Sequence, residues 1–478
     1  MAAETTGTRG TAAEAGTLAT QVADWVARVR YEDLPADVVE ATKLRILDVL
    51  GLALAGAETP FGASVRRAAL ALSPGGPCRV IGTGDRVGLT AAAMANAAFP
   101  QALEYDDTHN ESIVHMSSPA VVSALALSET RRVSGRDAIL AVAIANEVAC
   151  RVGCVSPGQF HRRGFHPTGL FAPFGITYGA GKLLGLDAQA LAWAAGTCGS
   201  FAAGLLECWV DGTQTKFLHS GWAAQSGITA AVLAQAGMTG PPRVFEGRFG
   251  LFASHLQAAD VARNFGRITD GLGVEWESRN ASFKPFPTAH VLHPYVSALL
   301  RLREAHRLTA ADVARIDCPV AEFNVSIVCE PVAEKTAPAS QAHCRVCLQY
   351  TMAETLVAGE LGRRAYEDRM RLNPEVLALA QRVHYHVDPA YPGPGRFKGA
   401  VTVTLTDGRV LTEVEEYNRG SAENPMTTGE LRAKFDDNAS GFLSSDERAR
   451  LADTVAGTER LSDVSQLLTS TVGAGRVS

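Results

Sequence analysis

The sequence predicts a mainly α-helical protein in which both chain ends build one large helical domain and a smaller α+β domain is inserted between them. From residue 17 to about 265 the chain is rich in Ala and Gly and has nearly continuous helical periodicity. Near residue 268 apolar and polar residues begin to alternate, with many β-branched side chains, which indicates strands. Helical periodicity returns after about residue 419. We therefore assign residues 1–268 and 420–478 to the helical domain and residues 269–419 to the inserted domain.

The first helices are predicted from their ends and their composition. The segment LPADVVEATKLRILDVLGLALAG has Pro35 in its first turn and Asp37 near its N-terminus, as helix starts prefer. Its apolar residues are too dense for one face, so we expect burial on more than one side. Ala-rich runs such as GRDAILAVAIANEVACRVG and LFAPFGITYGAGKLLGL follow. Because small residues let helix backbones approach closely, the sequence predicts a compact bundle.

The inserted domain is predicted to contain strands, a hairpin and two helices. VARIDCPVAEFNVSIV and FKGAVTVTLTDGRVLTEVEEY alternate as strands do, and TDG in the second is typical of a hairpin turn. Between them, QAHCRVCLQYTMAETLVAGEL and NPEVLALAQRVHYHV are predicted as helices. Two domains joined in this way leave a cleft, which is where ligands preferentially bind.

Composition excludes several classes of protein. The 478 residues are 46% hydrophobic and 20% charged, as in globular proteins, and the formal net charge is −6 without a long Lys/Arg run. Nucleic acid is therefore not an expected partner. The N-terminus MAAETTGTRGTAAEAG predicts a flexible lead-in without the basic and apolar regions of a signal peptide. LRILDVLGLALAGA, interrupted by Asp48, is too short to span a bilayer, so we expect a cytoplasmic protein with no membrane partner.

The nine cysteines form no disulfide-like framework. Cys344 and Cys347 make a CxxC beside His343, and Cys150 and Cys154 lie one helical turn apart. A zinc site needs a second ligand pair at suitable spacing, and the sequence shows none. We therefore expect reduced thiols packed in the core, and no metal.

Polar groups concentrate first in ALEYDDTHNESIVHMSSPA, residues 102–120. The segment contains three carboxylates, a threonine and two histidines: Glu104, Asp106, Asp107, Thr108, His109 and His115. Clustered carboxylates raise one another's pKa, and a nearby histidine can hold or move the displaced proton. A helix N-cap followed by a solvated loop is the alternative interpretation.

Two further segments place a cationic or titratable side chain at the entrance of a helix. His166 in RRGFHPTG precedes LFAPFGITYGAGKLLGL, where unpaired backbone N–H groups favour an anion, although a solvent-exposed turn histidine is equally compatible. Lys216 in DGTQTKFLHSGWAAQSG enters a small-residue helix and would need an anion to offset its desolvation. The alternative is a lysine that extends to solvent at the domain rim. His219 is a weaker candidate of the same kind.

The fourth segment, FKPFPTAHVLHPYVSALLRL, has His290 and His293 three residues apart at the start of a helix. Such a pair can bind a metal, but no third ligand is near it in the sequence. GxGxxG after a strand, the P-loop, GxSxG and HExxH are all missing from the sequence. Their absence argues against dinucleotide, nucleotide, serine-hydrolase and zincin chemistry.

Taken in order, the four segments resemble the MmgE/PrpD family, whose activities include 2-methylcitrate dehydratase, cis-aconitate decarboxylase and iminodisuccinate epimerase. AAAMANAAFPQALEYDDTH with HMSSPA, GFHPTG, GTQTKFLHSGWAAQSG and FKPFPTAHVLH carry the resemblance, which extends over nearly the whole chain. It implies a homodimer and an α+β lid domain inserted into the helical domain. It also implies an active site in the interdomain cleft without metal or organic cofactor. By motif, that site comprises Asp106, Asp107, Thr108, His115, His166, Lys216 and His293.

The sequence departs from the family pattern at three places that bear on the substrate. Glu104 replaces the usual first Asp of the acidic motif, HMSS replaces HPSS, and TAH follows KPFP where a Cys pair is frequent. We expect Glu104 and His290 to contact the substrate, together with the acidic motif. The substrate is therefore expected to be a small di- or tricarboxylic acid that is not necessarily methylcitrate.

The resemblance and the residue types together suggest individual roles. We expect Lys216 and His166 to bind carboxylates, His115 and His293 to transfer protons, and the acidic cluster to orient the histidines. The leading hypothesis is a lyase, either a hydro-lyase or a carboxy-lyase. The alternatives are an epimerase or isomerase of a polycarboxylate such as iminodisuccinate, and a non-catalytic homologue that only binds carboxylates.

Overall fold

A computed structural model describes residues 16–393 and 395–473, so the predicted N-terminal lead-in lies, apart from Gly16, outside the described residues. Helices dominate and the sheets are small, which confirms the prediction of a mainly α fold. The longer helices of the first half are α1 Leu18–Arg28, α2 Ala36–Ala57, α3 Pro60–Leu72, α4 Leu89–Gln101, α5 Ser117–Ser128, α6 Gly135–Gly153, α7 Pro167–Leu184, α8 Ala188–Cys198 and α9 Thr215–Gln235. The later ones are α10 His293–His306, α11 Leu348–Ala358, α12 Thr428–Ala439 and α13 Ser445–Ala456.

Shorter helices and two-stranded pairs connect these elements. The short α-helices are Gln159–Arg162, Cys208–Asp211, Leu251–Leu256, Gly266–Thr269, Glu322–Asn324, Val332–Thr336, Gln341–Cys344, Asp368–Arg371, Pro374–Ala380 and Gln466–Thr469. The strands are β1 Pro74–Arg79, β2 Arg86–Val87, β3 Thr108–His109, β4 Ala281–Ser282, β5 Val313–Val320, β6 Val383–Val387, β7 Gly399–Leu405 and β8 Val410–Glu415. Strand β3 pairs with β4, so the acidic segment of the sequence lies beside the segment that follows residue 280.

Glycines allow the central helices to touch, as the composition predicted. Helix α7 packs between α6 and α9, and α9 also packs on α4. A Cβ added at Gly175 of α7 would lie 2.1 Å from the carbonyl oxygen of Ala145 in α6. A Cβ at Gly221 of α9 would lie 2.4 Å from the carbonyl oxygen of Met94 in α4. Each distance is shorter than any real contact, so only glycine permits this helix spacing.

The described residues form two large apolar cores and a small third cluster of Leu52, Ala55, Leu103 and Tyr105. The first contains residues between Ala19 and Ala281 together with residues between Phe435 and Leu468, and the second contains residues between Ala289 and Leu405. A buried ion pair joins the two chain ends, because Lys434 of α12 donates to Asp48 of α2 at 3.0 Å. The chain thus leaves the first core, builds a second and returns, while the exact boundaries at residues 268 and 419 stay a prediction.

The second core packs against a four-stranded sheet of order β6-β5-β7-β8, in which β5 and β6 are parallel and the other pairs antiparallel. The predicted hairpin around TDG is confirmed by β7 and β8. Two predictions are wrong. The helix predicted over NPEVLALAQRVHYHV ends at Ala380, because VHYHV pairs with β5 as an edge strand, and EFNVSIV is helical rather than a continuation of β5.

All nine cysteines are free and buried, as expected for reduced core thiols. Within the described residues, no helix combines the length and apolarity needed to cross a bilayer.

Candidate active site

A buried cavity of about 60 Å³ lies where the two cores meet. Its titratable or hydroxyl lining side chains, called here the polar set, are Glu104, Thr108, His115, His161, His166, Lys216, Lys284 and His290. The remaining lining residues are apolar or aromatic: Ile113, Trp209, Ala289, Val291, Phe323, Ile327 and Phe397. All members of the polar set are buried, so their charges act in a low dielectric and each needs a partner.

Three members of the polar set lie at the starts of helices. His115 lies just before α5, His166 is the N-cap of α7 and Lys216 is the second residue of α9. The Nζ atom of Lys216 lies 3.4 Å from Nε2 of His115, and the rings of His115 and His166 are 5.7 Å apart. The structure therefore brings together the three residues that the sequence singled out at helix entrances.

Glu104 lies between two lysines. Lys284 donates to its Oε1 atom and its backbone carbonyl, each at 3.1 Å, and Lys216 donates to its Oε2 atom. Burial raises the pKa of Glu104, but the cations Lys216 and Lys284 outweigh this effect and hold its pKa well below the usual range. Its φ of +53° falls in the left-handed region, as does that of Ile113 at +58°. Strained backbone of this kind clusters at functional sites.

Asp106 orients His115. Its Oδ1 atom lies 3.1 Å from Nδ1 of the imidazole, and Ser118 donates to Oδ2 at 2.9 Å. Burial opposes ionisation of this carboxyl, yet the charge and hydrogen bond of His115 lower the pKa of Asp106 to about 2. The contact at Nδ1 leaves Nε2 of His115 facing Lys216 and Glu104. Thr108 contributes a weaker contact, with its hydroxyl 3.3 Å from the same Nδ1.

His166 and His219 form a hydrogen-bonded pair through their Nδ1 atoms at 2.9 Å. Burial lowers the pKa of both imidazoles, to about 4 for His219 and well below the ordinary value for His166, and the nearby Lys216 lowers both further. Both rings are therefore uncharged at neutral pH, so one Nδ1 donates and the other accepts. His166 can consequently meet a carboxylate as a neutral hydrogen-bond donor rather than as a cation.

Three residues that the family motif places in the site, Asp106, Asp107 and His293, do not line the cavity. The carboxylate of Asp107 accepts hydrogen bonds from Arg45 at 3.2 Å and from the Ser117 hydroxyl at 2.5 Å, which fixes the start of α5. His293 lies behind His290, with ring centroids 4.8 Å apart, and its Nε2 atom is 3.2 Å from the carbonyl oxygen of Thr288. Asp107 and His293 are thus held by structural neighbours outside the cavity lining, although Nδ1 of His293 has no hydrogen-bond partner among the described residues.

His290 does line the cavity, and Asn418 holds its Nε2 atom through a contact of 2.9 Å with Nδ2. The cavity also contains two residues that sequence reasoning missed. Lys284 is fully buried, and its neighbours Phe283 and Pro285 are apolar. A lysine in so apolar a segment needs an anion nearby, and this requirement could have identified Lys284 from the sequence. His161 carried no comparable signal, because it lies in an ordinary basic turn.

A second group of chemically capable side chains lies outside the cavity. Donor atoms of His109, Cys154 and Glu277 all lie within 4.8 Å of one another and could hold a metal ion. Spacing along the sequence did not reveal this set, because the three residues come from distant segments.

Comparison with known proteins covers both parts of the chain. Residues 20–264 match the model of the MmgE/PrpD N-terminal domain, and residues 286–460 match that of the MmgE/PrpD C-terminal domain. A cis-aconitate decarboxylase from Aspergillus terreus is 28% identical over 94% of this chain and 94% of its own length. The mouse (Mus musculus) cis-aconitate decarboxylase is 26% identical over 92% and 90%. A 2-methylcitrate dehydratase from Cupriavidus necator is 31% identical over 44% and 43%.

Proposed function

Since the chain belongs to the MmgE/PrpD family, we propose that it is a lyase that acts on a small di- or tricarboxylic acid, with cis-aconitate as the first candidate. The observation that carries this proposal is the pair Lys216 and Lys284 on either side of one carboxylate, beside the oriented imidazole of His115. Cations for carboxylates and a proton-transfer group are what such a reaction requires, so no metal or organic cofactor enters the chemistry proposed here.

Substrate carboxylates bind at the two lysines in this proposal. Glu104 already forms ion pairs with both, so a substrate carboxylate shares or takes over those contacts. Neutral His166 donates one further hydrogen bond through its other ring nitrogen, while its Nδ1 atom accepts the N–H of His219. The apolar wall of Phe323, Ile327 and Phe397 excludes water, which strengthens each of these interactions.

Decarboxylation of cis-aconitate then needs a single proton transfer. The bond between the carboxymethyl carbon and its carboxylate breaks, and CO₂ leaves. The electron pair spreads through the adjacent double bond to the carbon beside a second carboxylate, where the lysines stabilise the charge. His115 delivers a proton to that carbon from Nε2, while Asp106 keeps the imidazole in place.

Opening of the cavity is part of the proposal. Its volume of about 60 Å³ is well below the roughly 300–1,000 Å³ of pockets that enclose small molecules. Residues of the second core close one side of the cavity, among them Phe323 and Phe397. We therefore propose that the part of residues 269–419 that builds the second core acts as a lid, which moves away to admit substrate and contributes His290 on closure.

Dehydration of 2-methylcitrate is the second candidate, supported by the 31% identity to a named dehydratase. It requires a base for the α-proton and an acid for the leaving hydroxyl, roles that His115 and His166 could divide. The decarboxylase is preferred because its relatives match more than nine-tenths of the chain, whereas this dehydratase matches 44% of it.

One assay separates these candidates. The purified protein is incubated with cis-aconitate or with 2-methylcitrate while CO₂ release and enoate absorbance are followed. A carboxy-lyase releases CO₂ from the first compound, a hydro-lyase increases the absorbance with the second, and an epimerase exchanges solvent protons without either change.

Lys284→Gln should abolish most of the activity, whereas Lys182→Gln, far from the cavity, should retain it. Absence of turnover and of thermal stabilisation with every polycarboxylate tested would refute the proposal.

The resemblance implies a homodimer, and the sequence itself predicts a cytoplasmic protein; we retain both as proposals. Light scattering coupled to size exclusion measures the mass directly, and a mass equal to the 50.4 kDa of one chain would contradict the dimer.

A further inference from the structure

We propose that His109, Cys154 and Glu277 form a binding site for a divalent transition-metal ion of the zinc type, separate from the catalytic cavity. The three residues do not line that cavity, and each comes from a different element. His109 ends β3, Cys154 is the C-cap of α6, and Glu277 begins the turn Glu277–Asn280. An ion bound here joins three separate parts of the first core.

The distances suit a tetrahedral ion. Donor atoms of the three residues lie within 4.8 Å of one another, and Nε2 of His109 is 3.5 Å from Oε2 of Glu277. Bonds of about 2.0–2.3 Å to zinc place neighbouring donor atoms roughly 3.3–3.6 Å apart in a tetrahedron. The His–Glu edge therefore already has the required length, and the thiol sulfur lies within 4.8 Å of both other donor atoms.

A buried polar atom points to a missing ligand. His109 is fully buried, yet its Nε2 atom has no hydrogen-bond partner among the described residues. Its other nitrogen, Nδ1, accepts a hydrogen bond from the backbone amide of Ser112 at 3.3 Å and lies 2.8 Å from the Ser112 hydroxyl. Binding of a metal at Nε2 requires the tautomer in which Nδ1 carries the proton and donates to that hydroxyl, which is the usual arrangement of a metal-binding imidazole.

The charges around the site balance when an ion is present. Arg267 donates to Glu111 at 2.9 and 3.0 Å and to Glu277 at 2.7 Å. A divalent ion and Arg267 then offset the Cys154 thiolate and the two carboxylates. Glu111 shares Arg267 with Glu277, so its carboxylate is a candidate fourth ligand once the thiol proton leaves.

A proton shared by His109 and Glu277 is the competing explanation. At 3.5 Å their contact is longer than the roughly 2.7–2.9 Å of a charge-assisted hydrogen bond, so a proton fits the geometry less well than an ion does. The site has a structural consequence, because Thr108 of β3 lines the cavity and is the chain neighbour of His109. Bound metal would hold that wall of the cavity against α6.

The test measures metal rather than turnover, so its outcome is independent of the proposed catalytic function. The full chain is exposed to Zn²⁺, desalted and analysed for metal, and a second sample is loaded with Co²⁺ for absorption spectroscopy. We expect about one equivalent of zinc per chain and a near-ultraviolet charge-transfer band from a sulfur–cobalt bond. A chain that retains less than about a tenth of an equivalent and shows no such band overturns the proposal.

Two matched serine variants assign the site. Cys154→Ser should lose the charge-transfer band and at least tenfold in zinc affinity. Cys150→Ser, one turn earlier on α6 with its Sγ atom 3.1 Å from the sulfur of Met116, should keep both. Retention of the band in Cys154→Ser would place the metal elsewhere and refute the assignment. The cobalt spectrum of the unmodified protein decides the question even if a variant fails to fold.

Discussion

At the scale of single residues, His115 contacts three charged side chains at the candidate site. Asp106 holds its Nδ1 atom, while Lys216 and Glu104 lie near Nε2. Replacement by Asn should lower kcat by about 10²–10⁴-fold and change KM much less, as loss of a proton-transfer group does. Steady-state kinetics would measure this, with the exposed His386→Asn as the control. Equal kcat in His115→Asn and the unmodified protein would remove His115 from the mechanism.

Lys216 should act mainly on binding. Lys216→Ala removes one of the two cations at Glu104 and should weaken polycarboxylate affinity by about 1.5–3 kcal/mol, the contribution of a charge-assisted hydrogen bond. We expect the variant to stay folded, because Lys284 still pairs with Glu104. Calorimetric titration with circular dichroism checks both points. Lys182→Ala is the control. Lys182 lies near the C-terminal end of α7, where its ammonium group donates to two backbone carbonyls of α1.

The site residues that could be predicted from the sequence differ physically from those that were found only in the structure. His115, His166 and Lys216 each stand at the start of a helix of small residues, and helix starts carry a local signal. His161 reaches the cavity only through tertiary packing, and the set of His109, Cys154 and Glu277 requires three chain segments to meet. Contacts of that kind leave no spacing pattern to detect.

At the scale of elements, the close contact of α6 and α7 gives a sharp prediction. Gly175→Ala would place a methyl group 2.1 Å from the carbonyl oxygen of Ala145, so the helices must separate. We expect the free energy of unfolding to fall by about 1–3 kcal/mol, as overpacking usually costs. Gly84→Ala is the matched control, because no atom lies within 4 Å of the new methyl group. Urea unfolding of both variants measures the difference, and equal losses would contradict the packing argument.

Elements of the inserted segment were the least predictable from sequence. The strand β6 is an edge strand whose inner residue Val383 is buried while His386 and Val387 are exposed, so it lacks the full alternation of a central strand. Its extended conformation depends on parallel pairing with β5, more than sixty residues earlier. In contrast, β7 and β8 are neighbours in sequence and their turn is encoded locally, so the hairpin could be predicted.

At the scale of the whole molecule, buried histidines should make the fold sensitive to mild acid. Burial lowers the pKa of His161 and His219 to about 4, and lowers the pKa of His166, His290 and His293 well below the ordinary value. In the unfolded chain these groups bind protons below about pH 6.5, whereas the folded chain binds them only at lower pH. Stability is therefore complete above pH 6.5 and falls as the pH decreases toward 4.

Each such histidine contributes a slope of about 1.4 kcal/mol per pH unit in that window. Asp48 acts in the opposite direction, because burial raises its pKa to about 6, but it offsets only one histidine. Urea unfolding at pH 7 and pH 5.5 should show the loss, and His219→Asn should reduce the slope. Unchanged stability between the two pH values would show that these histidines are hydrated in solution.

The carboxylate of Glu104 between its two lysines makes ligand binding an exchange of counter-ions. The four groups Glu104, Asp106, Lys216 and Lys284 sum to zero charge, so a polycarboxylate that enters brings an excess of negative charge into a dry space. That excess is relieved when the complex takes up a proton from solvent. Affinity should consequently decrease as the pH rises through neutrality. The heat of binding should differ between buffers of low and high ionisation enthalpy by an amount that corresponds to about one proton per site.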